Sequence, residues 1–241
     1  MSSVAVHFAK RQVIERRRNL WRKHWWRLAL VVGMVAVVGL GLYWAFPTAQ
    51  LPVWAAVPSL FVAFFFFGHE LFDGTYHLVK GLDAERWTSK DLRKLLGQDW
   101  HVVDWVSFKF HDVDHVVVGP GGVIAVETKA TDSKLDLSGR GQTRALEWMD
   151  QAFDGSRSVR LLLQSFGYRL PVSPLVVVWG SEISGTPLMG DVPVLRPREL
   201  EAQVAGWRNA PGQLTREQVD DIHAKLIEYR SMREKHELAR P

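Results

Sequence analysis

The sequence predicts an α/β domain that follows two membrane-spanning helices. The helices are predicted by two apolar stretches, residues 28–46 and 51–67, which carry no charged side chain. At ~1.5 Å rise per residue, the first stretch is long enough to cross a bilayer as a helix. The domain is predicted by two runs of β-branched residues around a Gly/Pro cluster at 119–122, after which strand-like and helix-like segments alternate.

A basic arm, residues 1–27, precedes the first apolar stretch. It holds eight Lys or Arg and one Glu, so it carries a formal charge of +7 while the rest of the chain carries −3. Tryptophans among the basic residues are typical of a segment at the cytoplasmic surface of a membrane. A nucleic-acid-binding arm is the alternative, and it is less favoured because an apolar stretch follows directly. The high pI therefore does not indicate a basic surface on the domain.

We expect residues 28–72 to form a two-helix membrane hairpin. The basic arm would keep the N-terminus in the cytoplasm, and two crossings would return the domain that begins at residue 80 to the same side. The first stretch exceeds the usual core of a signal peptide and a second one follows, so a cleaved signal peptide is not expected. The chain has no cysteine, which fits a cytosol-facing domain and excludes thiolate metal ligands.

A β-hairpin is predicted over Asp112–Lys129, and the domain is organised around it. Its two valine-rich runs are separated by Gly119–Gly122. If these four residues form the whole loop, Val118 pairs with Val123 and the register of the hairpin is fixed.

That register brings charged residues together inside an apolar sheet. Asp114 lies opposite Glu127, and Asp112 lies opposite Lys129. Because side chains alternate between faces, Asp114, Glu127 and Lys129 are expected to project from one face. Facing acids repel, and an unpaired buried charge costs several kcal/mol. A divalent cation with oxygen ligands would remove the repulsion; alternatively, Lys129 neutralises one acid and the other reaches solvent.

A helix is predicted over Gly81–Leu96. At 100° per residue, Glu85 shares one face with three other positions, Ser89, Leu92 and Leu96. Glu85 therefore points toward the core, which is unusual for a carboxylate. Stabilisation by the helix dipole near the first turn is the alternative explanation.

The remaining segments predict the rest of the α/β domain. We expect strands at residues 100–110, 134–137, 174–179 and 192–195, and helices at 143–166, at 198–207 and from 216. The first of these helices is expected to be irregular at Asp154-Gly155, with an apolar face that includes Leu146, Met149, Phe153 and Leu161. A capping box at Thr215–Gln218 opens the last helix, and the charged tail from Ser231 is expected to fray.

The segment from Asp114 to Lys129, D-H-V-V-V-G-P-G-G-V-I-A-V-E-T-K, resembles the central motif of the NERD (nuclease-related domain) family. This family is a branch of the PD-(D/E)xK restriction-endonuclease-like superfamily. The resemblance covers residues 80–200 and leaves 201–241 as a C-terminal helical segment. It implies a mixed sheet flanked by helices and a nuclease site that depends on Mg²⁺ or Mn²⁺.

The resemblance also implies roles for individual residues. Asp114 and Glu127 take the places of metal ligands, and Lys129 takes the place of the residue that orients or helps to deprotonate water. Glu85, in G-L-D-A-E, takes the place of a supporting ligand, directly or through water. Gln151 takes the place of a glutamine on the following helix, although a solvent-facing Gln is the alternative because the Asn-Pro that often precedes it is missing. His115 is expected to be structural.

Three functions are compatible with these features. The first is hydrolysis of phosphodiester bonds in DNA or RNA beside the lipid bilayer, which the complete set of Glu85, Asp114, Glu127 and Lys129 favours. The second is a catalytically idle platform that binds nucleic acid or a protein partner, which the −3 charge outside the arm favours. The third is a structural membrane protein in which the buried charges form an ion-pair network.

Overall fold

The structure is a computed structural model that describes residues 75–238 except 110, 133, 139–140, 181–182, 186–190 and 211. The chain divides into two units, residues 1–79 and 80–241. The predicted basic arm and membrane hairpin lie outside the described residues. Within the described part of the chain, no helix has the length and apolar character needed to cross a membrane. The described elements belong to the second unit and to the helix that leads into it.

These elements alternate between helices and strands, which confirms the α/β class. In chain order they are α1 Thr75–Leu96, β1 His101–Ser107, β2 Asp112–Gly119, β3 Gly122–Ala130, β4 Leu135–Asp136, α2 Gln142–Ser165, β5 Val172–Trp179, β6 Ile183–Ser184, β7 Val194–Leu195, α3 Leu200–Asn209 and α4 Arg216–Leu238. A short 3₁₀ turn, Pro197–Glu199, leads into α3.

The main sheet has five strands in the order β1-β2-β3-β5-β7. β1, β2 and β3 are antiparallel neighbours, whereas β5 and β7 extend the sheet in parallel pairings, so the sheet is mixed as predicted. β4 and β6 form a separate two-stranded parallel sheet. The parallel step from β3 to β5 requires a crossover, which α2 provides.

Helices cover both faces of the main sheet. On one face α2 and α4 pack on a cluster that includes Val116, Val118, Val123 and Ala125. On the other face α1 and α3 pack on a cluster that includes Val117, Ile124, Val126 and Leu175. The uninterrupted valine runs of β2, β3 and β5 are therefore buried on both sides.

The structure confirms the predicted register of the hairpin but shortens its loop. Val118 pairs with Val123, and Gly119 also pairs with Gly122, so the connection has two residues rather than four. Gly122 has a φ of +121°, which favours glycine. A Cβ at Gly119 would overlap the ring of Trp100.

The interior of α2 differs from the prediction. The helix is continuous through Asp154-Gly155, where an irregularity was expected. A Cβ at Gly155 would lie 3.1 Å from Val113 Cγ2, so the glycine permits close packing of α2 on β2. Phe153 and Leu161, predicted on the apolar face, are 56% and 55% exposed.

The last helix is longer than predicted. The capping box is confirmed, since the Gln218 N–H donates to Thr215 Oγ1 and the Thr215 N–H donates to Gln218 Oε1. The expected fraying from Ser231 is wrong, because α4 continues to Leu238. Arg233 donates from its guanidinium to the carbonyls of Ser107 and Phe108, which ties this end of α4 to the end of β1.

Candidate active site

The pairing of β2 with β3 ends at the predicted acidic residues. The last pair is His115 with Val126, one step short of the expected pair between Asp114 and Glu127. Beyond this pair, the backbone N–H of Thr128 on β3 donates to Asp114 Oδ2 at 2.6 Å. The carboxylate of Asp114 thus replaces a backbone acceptor at the end of the ladder and is fixed against β3.

The strand alternation is interrupted at this point. Four valines pack in the same cluster against α2 and α4, although each pair is three residues apart on its strand: Val103 and Val106 on β1, Val113 and Val116 on β2. Regular alternation would place residues three apart on opposite faces. The expectation that alternation alone aligns Asp114 with Glu127 therefore does not apply, and the bond to the Thr128 amide fixes Asp114 instead.

Trp105, inside the irregular part of β1, has a φ of 53°, the one positive value among the described non-glycine residues. Such a conformation costs about 1–3 kcal/mol and is often found at functional sites. The indole Nε1 of Trp105 donates to Glu85 Oε2 at 2.7 Å. The unusual backbone is therefore coupled to the position of a candidate site residue.

Glu127 and Lys129 form the ion pair of the site. They lie two residues apart on β3, as same-face residues should, and Lys129 Nζ is 2.6 Å from Glu127 Oε1. The side chain of Lys129 is only 24% exposed, and that of Glu127 only 13%. Lys129 thus neutralises one of the acids, which was one element of the alternative interpretation, while Asp114 has no cation of its own among these contacts.

Glu85 lies on the inward face of α1, where Leu92 and Leu96 are buried as predicted. Because α1 begins at Thr75, Glu85 lies ten residues inside the helix, and the helix-dipole explanation fails. Burial raises the pKa of Glu85, and the hydrogen bond from Trp105 offsets this only in part. Glu85 is therefore a half-buried carboxylate that accepts a hydrogen bond from Trp105 and forms none of the ion pairs described for this site.

Asp114 has the most perturbed environment of the site. Burial is the largest cause that raises the pKa of Asp114 well above its usual range, and the negative charges of Glu127 and Glu85 raise it further. The Thr128 amide and the Lys129 charge oppose the shift without cancelling it. The three carboxylates thus lie close enough to repel one another; the sequence predicted this repulsion for Asp114 and Glu127, and not for Glu85.

A second polar network supports the site from the side of α1. His115 is fully buried, and its Nδ1 lies 2.8 Å from Asp104 Oδ1. Asp104 Oδ2 also accepts from Arg93 at 2.7 Å and from Ser89 at 3.1 Å. Burial would raise the pKa of Asp104, but His115 and Arg93 together outweigh it and lower that pKa to about 2.

His115 is thus part of a buried network, in agreement with the structural role expected for it. Its charge also lowers the pKa of Glu85, so the network adjoins the carboxylates. Sequence reasoning missed Asp104, Arg93 and Trp105. The one available signal was an acid in the middle of the valine-rich run H-V-V-D-W-V-S.

Gln151 is exposed on α2. Within the described part of the chain, no hydrogen bond joins it to Glu85, Asp114, Glu127 or Lys129. Its place in the site remains a prediction from the family resemblance.

The chemistry of the donors fits a hard divalent cation with few protein ligands. Among the described residues, no group of three or more His, Asp or Glu side chains is arranged to hold a metal ion. Mg²⁺ commonly uses one or two carboxylates and completes its shell with water and substrate phosphate. Asp114 and Glu127 supply two carboxylates, which is the size of that smaller set.

Residues 80–179 match the family model of NERD, the nuclease-related domain. The match covers less than half of the chain, but it contains Glu85, Asp114, Glu127 and Lys129. It ends at Trp179, the last residue of β5, so β7, α3 and α4 lie beyond it. The region that matches the NERD model therefore contains all the candidate carboxylates, and the resemblance found in the motif is confirmed at the level of the family match.

Among solved structures, a crystal structure of a repair endonuclease from Pyrococcus abyssi is similar to this chain at 12% identity and a TM-score of 0.26. The similarity covers 44% of this chain and 46% of the endonuclease chain. A likeness this distant supports no argument about the activity. No curated protein is significantly similar to the chain.

Proposed function

We propose that the NERD domain hydrolyses phosphodiester bonds in nucleic acid. The observation that carries this proposal is the partly buried cluster of Asp114, Glu127 and Glu85 beside Lys129, within a region that matches the nuclease-related domain. Buried like charges destabilise a fold unless they have partners, and perturbed carboxylates gathered in one place are typical of functional sites.

The proposed cofactor is Mg²⁺ or Mn²⁺. Asp114 and Glu127 would hold it with the carbonyl of Thr128, and Glu85 would support it through water. A bound cation would polarise a phosphoryl oxygen and stabilise the charge that develops during displacement. It would also relieve the repulsion that raises the pKa of Asp114, which supports its inclusion.

The chain itself supplies positioning and proton transfer. The Thr128 amide fixes Asp114, and the Trp105 indole fixes Glu85. Lys129, held at 2.6 Å from Glu127, is half-buried and can orient an attacking water or take part in its deprotonation. These restraints preorganise the polar groups before substrate arrives.

Cleavage of labelled DNA and RNA, single- and double-stranded, tests the proposal. We expect the full-length chain in detergent to cleave with Mg²⁺ or Mn²⁺ and not with EDTA. Lys129→Ala should lower the rate by about 100-fold or more, as loss of an acid–base group does. Lys225→Ala, which removes an ammonium paired with Asp221 on α4, is the matched control and should cleave normally. Absence of cleavage by the wild type, or normal cleavage by Lys129→Ala, would contradict the proposal.

A binding platform is the second candidate. It is favoured by the Lys129–Glu127 ion pair, which neutralises one acid without a metal, and by the lack of a three-ligand group among the described residues. In the same assays a platform would bind nucleic acid equally well with metal or EDTA and would release no cleaved product.

We also propose that residues 28–72 anchor the domain at the cytoplasmic face of a membrane. The uncharged stretches and the basic arm support this. A reporter fused to the C-terminus should be active only if it functions in the cytoplasm. Activity of a reporter that works only on the external side would contradict the anchor, and it would leave the hydrolysis proposal intact.

A further inference from the structure

Two tryptophans meet at the surface of the NERD domain. Trp87 on α1 is 46% exposed, and its ring centroid lies 5.1 Å from that of Trp179 at the end of β5, with an interplanar angle of 51°. A tryptophan side chain is highly buried on average. The exposed face of Trp87 is therefore a large aromatic surface without an evident role in the core.

The pair is held in place from beneath. Trp179 Nε1 donates to Thr88 Oγ1 at 2.8 Å, and Thr88 is fully buried. Trp179 is itself only partly exposed and packs on Trp87. A ring fixed in this way loses little conformational entropy when a planar ligand stacks on it.

The pair adjoins the candidate active site on the side of α1. Trp179 donates to Thr88, which lies three residues, or about one helical turn, after Glu85. Trp179 is also paired with Ala130, the residue after Lys129, so its side chain projects from the sheet face opposite to that of Lys129. A nucleotide on the tryptophans would therefore lie near Glu85, on the α1 side of the candidate site.

Lysines extend the aromatic surface along α1. Lys90 and Lys94 are exposed and lie three and seven residues after Trp87, on the same face of the helix. Asp91 lies between them, and Arg86 is engaged with Asp83 at 3.1 Å. The net positive charge of this face is small, so attraction of phosphates is modest and aromatic contact dominates.

We propose that Trp87, supported by Trp179, stacks against an unpaired base of the nucleic-acid substrate, so that the domain selects single-stranded or locally unpaired nucleic acid. This inference rests on the proposed function and names its substrate class. Bases in a duplex present their edges and are stacked on one another, whereas an unpaired base offers a face to an aromatic side chain. Stacking of this kind tolerates any base.

Equilibrium binding in EDTA tests the inference without cleavage. The probes are a fluorescein-labelled single-stranded oligothymidylate and a blunt duplex of equal length, titrated with the full-length chain in detergent. Trp87→Ala should weaken binding of the single strand by about tenfold, the usual scale for loss of one base stack, and leave duplex binding unchanged. Trp87→Phe should keep most of the affinity. Phe153→Ala, which removes an aromatic that is 56% exposed on α2, is the control and should bind normally.

A second measurement does not depend on any variant. Tryptophan fluorescence of the wild type should be quenched in step with single-strand binding, as stacking requires. Equal affinity of Trp87→Ala and the wild type for the single strand would overturn the inference. Trp87-dependent binding without cleavage would support the stacking surface and contradict hydrolysis. Equal rates of cleavage of both probes by Trp87→Ala and the wild type would support hydrolysis and contradict the stacking surface.

Discussion

At the scale of single residues, Asp114 shows how a local bond replaces regular sheet geometry. Its carboxylate accepts the Thr128 amide where the ladder between β2 and β3 stops. The same carboxylate is buried beside Glu127 and Glu85, so its ionised form is disfavoured. Folding therefore makes ionisation of Asp114 less favourable, and stability measurements across pH should reveal this cost.

Replacement of Asp114 by Asn should therefore stabilise the protein at neutral pH. The pKa of Asp114 is raised on folding, so its ionisation costs stability as the pH rises above its usual range. Asn keeps an oxygen that can accept the Thr128 N–H. We expect Asp114→Asn to raise Tm by a few degrees at pH 7 without added metal, about 2–4 °C for each kcal/mol in a chain of this size. The gain should shrink toward pH 4, and a gain that is independent of pH would show that charge is not the cause.

Asp104, in contrast to Asp114, should stabilise the folded protein when its carboxylate is ionised. Its pKa is lowered to about 2, so its ionised form stabilises the folded state above the usual pKa of an aspartate and loses this effect as the pH falls toward 2. Asp104→Ala leaves buried His115 without its partner and should cost about 3 kcal/mol. Urea unfolding between pH 7 and pH 3 checks this, with Asp220→Ala, which removes the exposed partner of His101, as the control. A loss of less than about 1 kcal/mol at pH 7 would contradict a structural role for the pair.

At the scale of elements, the hairpin of β2 and β3 is set by its glycines as well as its valines. The chain turns in two residues, and Gly119 lies against the face of Trp100, which also packs near Trp207 of α3. The turn thus sets both the register of the strands and the contact between the hairpin and the helix layer.

Gly119→Ala should destabilise the hairpin. The added Cβ would overlap the Trp100 ring, and overpacking of this kind typically costs about 1–3 kcal/mol. Gly212→Ala is the matched control, because a Cβ at that position meets no atom within 4 Å. Thermal unfolding of both variants checks the prediction, and equal Tm values for the two would show that the Trp100 contact is not tight.

The helices and strands also show which structural features the sequence pattern can predict. The valine runs and the Gly/Pro cluster predicted the register, and the helical spacing predicted that Glu85 faces inward with Leu92 and Leu96. Phe153 was predicted in the core and is exposed, because helical periodicity does not tell which part of a long helix has a sheet beneath it. Asp154-Gly155 predicted an irregular helix, yet Gly155 permits close packing against Val113, which is distant in the sequence.

At the scale of the whole molecule, the alternation of strand-like and helix-like segments predicted the α/β class, and the family resemblance implied the mixed sheet. Charges inside valine runs pointed to Asp114 and Glu127 as candidate site residues, because buried charges need partners. The supporting residues Trp105, Asp104 and Arg93 were not predicted. Their roles arise from an interrupted strand and from contacts between α1 and β1, which no local pattern encodes. The predicted membrane hairpin lies outside the described residues and remains a prediction.

The central proposal is that the carboxylate cluster in the region similar to NERD holds a divalent cation for hydrolysis. It is tested most directly by thermal unfolding of the chain across a titration of Mg²⁺ and Mn²⁺. A cation that binds only the folded state raises Tm as its concentration increases. At a concentration a hundredfold above Kd, it adds about 2.7 kcal/mol to the free energy of unfolding. We predict such a rise for the wild type and none for the double variant Asp114→Asn/Glu127→Gln. An unchanged Tm in the wild type, or an equal rise in the double variant, would contradict the account.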